Sequence, residues 1–136
     1  MRFLFHLAGM VLYAGAVSLA HAGEAWQPVY EDEAVRVSID SASISRNGQI
    51  VMFRERHALA RAEIDQASLR RIVEIQIRRA VDCRKRRFAV QSKAMFTEQD
   101  SMVRYEASRP EKPNWQPPQN EQEVRVYEWV CVSRSR

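Results

Sequence analysis

The stretch VDCRKRRFAV, Val81 to Val90, sets one thiol between a carboxylate and four consecutive cations. A cysteine so placed can serve as a nucleophile, ligate a metal or staple the fold. The chain has one other cysteine, Cys131. A metal would need two further soft ligands, and beyond residue 22 the chain offers a single histidine, His57. Two cysteines in an exported chain most often form one disulfide. Cys83 and Cys131 are therefore expected to be bonded, closing a loop that contributes about 4 kcal/mol of chain entropy.

His57, in FRERHA, and Asp40, closing VSID, are the residues that acid–base chemistry would recruit. A Ser–His–Asp or Cys–His enzyme would use His57 as its base. No nucleophile motif accompanies it, and four glycines in the whole chain leave no phosphate-binding loop. His57 reads as a surface residue at a strand end, and Asp40 as a turn former. The chain reads as non-enzymatic, with no catalytic residue, no metal site and no cofactor expected.

The densest charge is Arg84, Lys85, Arg86 and Arg87, with Arg78 shortly before. If Cys83 closes a strand and points inward, the four bases make the turn and project to solvent. Such a tip blunts edge pairing. It also suits anionic partners, because guanidinium forks match phosphate and sulfate oxygens. These five residues are the candidate anion- or partner-binding surface. Trp26, Trp115 and Trp129 read as core or loop anchors, with Trp115 placed to cover the sheet between the last strand and the helix.

Antiparallel strands are expected to position these groups. VRVSI alternates, with Val35, Val37 and Ile39 on one face. ISRNGQIVMF carries Asn47-Gly48, a strong hairpin signal because both residues tolerate positive φ. RIVEIQIRRAVDC puts Val73, Ile75, Ile77 and Cys83 on one face, and RRFAVQSKAMF pairs back through the basic turn. SMVRYEA is a short last strand, and WQPVYE, with its proline, suits an edge. Ala58 to Arg71 has no alternation and reads as a loop. Arg109 to Asn120 holds four prolines and reads as another. In the tail, NEQEVRVYEWVC, the Val, Tyr and Trp content favours a strand. Asn120 with Glu123 resembles a capping box and favours a helix with Val124, Tyr127 and Cys131 on one face.

Residues 1–22 have a basic tip, an apolar run and an Ala-His-Ala end, which reads as a secretory signal removed before Gly23. No cysteine follows at once, so lipid attachment there is not expected, nor is a membrane anchor after cleavage. Residues 23–136 are enough for one domain. The net charge of +4 is too small to imply nucleic acid. Arginine dominates the cations, at 18 to 3 lysines.

In order and spacing, these residues resemble the bacterial surface-adhesin protein E family. The resemblance runs from Trp26 through VSIDSASI, RNGQIVMF and VDCRKRRFAV to NWQPPQNEQEVRVYEWVC, ending at Cys131. It implies an antiparallel sheet with a C-terminal helix held on one face by a disulfide. It also implies binding to host matrix and plasma proteins such as laminin and vitronectin.

The expected fold is α+β: about six antiparallel strands and a C-terminal helix packed on one face and tethered by a disulfide. The expected function is an exported envelope binding protein, in the periplasm or on the outer surface of a Gram-negative-type bacterium. Host matrix proteins, anionic glycans and lipopolysaccharide are its candidate partners, and a homodimer is compatible with the sequence. The alternative is a small periplasmic structural or ligand-binding protein, with an apolar molecule lodged between sheet and helix.

Overall fold

Six alternating segments pair in the order in which they occur, as β1 (Trp26–Glu31), β2 (Val35–Asn47), β3 (Ile50–Ile64), β4 (Arg71–Asp82), β5 (Arg87–Phe96) and β6 (Met102–Ala107). Every pairing is antiparallel. The computed structural model describes residues 25–132. The signal expected over residues 1–22 lies outside them.

The turns are built by side chains that take up backbone N–H groups. Asp32 accepts from Ala34 and Val35, at 2.8 and 2.9 Å. Asp65 accepts from the Ser68 N–H and Asp82 from those of Arg84 and Lys85. The β2–β3 turn centres on Gly48 and Gln49, since Asn47 is still paired with Ile50. Only Gly48 has positive φ, at +60°. Glycine alone at the first central position is the II′ arrangement, so Asn47 is not asked for the positive φ the sequence suggested.

Chain Ala58 to Ile64 is strand, not the loop expected. Leu59 still pairs with Val35, and beyond an irregularity Glu63 pairs with Ile72. From Leu59 on, the end of β3 thus has a partner on only one side at a time, and most of its residues are exposed. Nothing there requires apolar alternation. Only residues 65–70 form the loop.

The tail is helical. Glu121–Tyr127 forms α1, continued by a π-helical turn over Glu128–Val132. Asn120 caps it in extended geometry and accepts the Glu123 N–H at 2.9 Å. Glu123 returns a carboxylate to the Gln119 N–H at 2.7 Å, one residue earlier than the expected reciprocal bond.

One sheet face and the helix make the core. Val37, Ile39, Val51, Phe53, Val81 and Phe88 meet Val126, Tyr127, Val130 and Cys131. Val126 and Val130, four apart and so on one helix face, take the centre with Tyr127 and Cys131, while Val124 is half-buried. Each fully buried valine contributes roughly 2 kcal/mol. This packing occupies the middle of the interface between sheet and helix, and open space remains at its edge, beside His57 and Gln122.

Candidate functional site

The basic turn is held from below, from one end and on both sides. From below, Asp82 is 1% exposed and its Oδ1 accepts the Arg84 and Lys85 N–H groups at 3.1 and 2.9 Å. The Gln49 amide donates to its other oxygen at 3.3 Å. The Lys85 N–H leads the interactions that hold this carboxyl below the usual range; burial opposes it, and the Arg84 N–H, Gln49 and the Arg87 charge assist. From the end, Cys83 is bonded to Cys131, with Cα atoms 5.5 Å apart. The Tyr127 hydroxyl donates to the Cys83 carbonyl at 2.7 Å.

The sides are aromatic. Arg86, at φ +52°, lies over the Tyr127 ring at 4.9 Å. Arg87 lies over the Trp115 ring at 5.0 Å, with its Nε 3.7 Å from Asp82. So Arg86 and Arg87, expected to project freely, help to hold the turn. Arg84 and Lys85 are exposed and form no ion pair among the described residues.

Arg78 is not brought to the turn. It lies further down β4, on the face away from the helix, directly opposite Arg54 of β3. Between it and the turn, the segment Ser108 to Trp115 folds over Ala80 and Ala89 of the same face, lining a cavity of about 290 Å³. Trp115 therefore covers the sheet on the side opposite the helix, not between the last strand and the helix as expected.

Arg54 belongs to a second cationic group that the sequence reading missed. Its guanidinium is 2.6 Å from Asp40, itself 2% exposed. The Trp26 ring carries Arg56 at 4.5 Å and Arg54 at 5.5 Å. The signal available was the spacing of Arg54 and Arg56, two apart in a strand and so on one face. Asp40 does not end a strand, because β2 continues to Asn47. Burial would raise its carboxyl, but Arg54 and the N–H groups of Ala25 and Ala42 hold it low. It does bridge an irregularity in β2, accepting the Ala42 N–H at 3.1 Å.

His57 is also not at a strand end. It lies within β3 on the helix side, against the wholly buried Glu55 and 3.4 Å from the Gln122 amide. Burial pushes the Glu55 carboxyl up, and Arg79, His57 and Lys93 more than reverse this. Arg79 lies 3.5 Å from Glu55 and 3.1 Å from Glu123 of the helix. This network ties α1 to the sheet. A cavity of about 730 Å³ opens beside it, lined in part by Val35, His57, Leu59, Ile75 and Gln122.

The profile of one protein family, described as Surface-adhesin protein E, matches residues 26–132. Among curated proteins none matches the sequence. Two solved structures of Haemophilus influenzae protein E are similar in fold. Crystal form II has a TM-score of 0.55 at 14% identity, covering 85% of this chain and all of that one. The selenomethionine form has a TM-score of 0.52 at 14% identity, covering 81% of this chain and 95% of that one. Among the described residues, no helix is long and apolar enough to cross a membrane.

Proposed function

The chain belongs to the surface-adhesin protein E family, and from that premise we propose that it is an exported, non-catalytic binding protein of a bacterial envelope, adhesin-like in action. The observation that carries this reading is the basic turn. Arg84 and Lys85 stand in solvent on a hairpin held by a buried carboxylate, a disulfide and two aromatic rings. A rigid tip loses little freedom on binding.

Anionic partners suit it. These are acidic patches on host matrix or plasma proteins of the laminin and vitronectin kind, sulfated glycans, or lipopolysaccharide phosphates. Nucleic acid is not among them. The proposed address is the periplasm or outer surface of a Gram-negative-type bacterium. Family membership supports a non-enzymatic role. So do the structural duties of His57 and Asp40, which tie helix to sheet and bridge strands.

The test is retention of the oxidised exported protein on laminin, vitronectin, full-length heparin and lipopolysaccharide. Wild type should bind at least one of them at low salt and weaken as salt screens the charges. The double variant Arg84→Ser/Lys85→Ser should stay folded and elute from heparin at lower salt. Absent binding by wild type, or unchanged elution of the folded variant, would reduce the turn to a solubilising hairpin tip.

A further inference from the structure

We propose that the sheet face away from the helix carries a groove for a sulfated glycan, centred on Arg54 and Arg78. The inference deepens the reading above, because it names the ligand class and a place of recognition apart from the turn.

The first observation is a like-charge pair. Arg54 and Arg78 are direct partners on the β3–β4 ladder, where like charges destabilise a sheet. Asp40 neutralises Arg54. Arg78 is exposed and makes no ion pair among the described residues. Its charge is left without an opposite charge until an anion arrives.

The second observation is the shape and lining of the face. Two adjoining cavities share Arg54 and Arg78. One, of about 420 Å³, adds Gln76, Ser92 and Tyr105 to its walls. The other, of about 280 Å³, adds Ser45 and Gln91. No carboxylate lines either cavity. The nearest acids are committed, Asp40 to Arg54 and Glu74 to the Gln76 amide at 2.8 Å. With Asp40 spent on Arg54, the uncompensated cation is Arg78, and neutral amides and hydroxyls around it form a site for an oxyanion.

The third observation selects the oxyanion. The two cations that line the groove, Arg54 and Arg78, are both arginine. Guanidinium is less strongly hydrated than ammonium and spreads its donors in a plane, which suits a singly charged sulfate ester. Tyr105, 58% exposed at the β6 end of the groove, offers a bare ring against which a sugar can lie. The amides and hydroxyls match sugar hydroxyls. The two cavities run across the strands from β2 to β6 and so suit a linear ligand.

The experiment is titration calorimetry of the oxidised exported protein with a heparin-derived tetrasaccharide, short enough to be held by the groove alone. Full-length heparin and a desulfated tetrasaccharide run beside it. Arg78→Ser should weaken tetrasaccharide binding about tenfold while leaving the melting temperature unchanged or higher. Tyr105→Ala should weaken it several-fold, and Arg84→Ser/Lys85→Ser should stay within about twofold of wild type. Equal binding by Arg78→Ser, or a loss accompanied by a lower melting temperature, overturns the groove. Equal binding of the desulfated sugar, or equal competition by lipopolysaccharide phosphates, overturns the ligand class. Binding of full-length heparin without the tetrasaccharide removes the groove and leaves the turn standing. Binding of neither removes the groove and leaves the turn to its laminin, vitronectin and lipopolysaccharide tests.

Discussion

Glu55 is wholly buried, and its charge is tolerable only because Arg79 and His57 face it. Desolvating an ion costs several kcal/mol, and removing one partner leaves that cost uncompensated. Arg79→Met should therefore lower stability by about 3 kcal/mol or more, as measured by urea unfolding. Adding Glu55→Leu should recover most of the loss, since the buried charge is then gone. If the double variant is as unstable as the single, the network is not what makes Arg79 necessary. None of this was legible from the sequence. FRERH alternates charge with charge, so periodicity does not say which face is buried. The cysteines were legible, because parity and their placement on apolar faces left one pairing.

The next scale is the clamp between the β4–β5 hairpin and the helix. Three contacts make it: the disulfide, the bond from Tyr127 to the Cys83 carbonyl, and Arg86 on the Tyr127 ring. Reduction should cost about 4 kcal/mol by loop entropy. Hydrogen exchange of the reduced protein should rise first over residues 121–132 and in the turn, and least in the centre of β3. Uniform acceleration across the sheet would mean that the bond stabilises the whole fold and not this junction. The sequence held the helix start in Asn120 and Glu123, and the structure uses both. It did not hold the π turn over Glu128–Val132, for which no residue pattern stands as a signal. Nor did it hold the end of β3, whose exposed residues carry no pattern.

As a whole, the molecule has two unlike faces: one spent on the helix, the other on open grooves and the Trp115 segment. If that second face meets a partner outside the cell, protease added to intact cells should remove the protein, and protection would place it in the periplasm. The exported protein should begin at or close to Gly23; a start at Met1 in protein recovered outside the cytoplasm would overturn the signal reading. The groove could not be read from sequence, because the opposition of Arg54 and Arg78 arises from register across a loop. The strand order has a consequence in time. Each strand lies beside its neighbour in the chain, so the sheet closes through short segments, and short closures are fast and entropically cheap. The helix contacts reach further than the ladders, with Gln122 65 residues from His57, Tyr127 44 from Cys83 and Cys131 48 from Cys83. Assembly can run in the direction the chain emerges, β1 first and helix last. Cys131 then meets its partner on a surface already built. With two cysteines there is one intramolecular pairing to find, so oxidation of the single chain needs no shuffling stage.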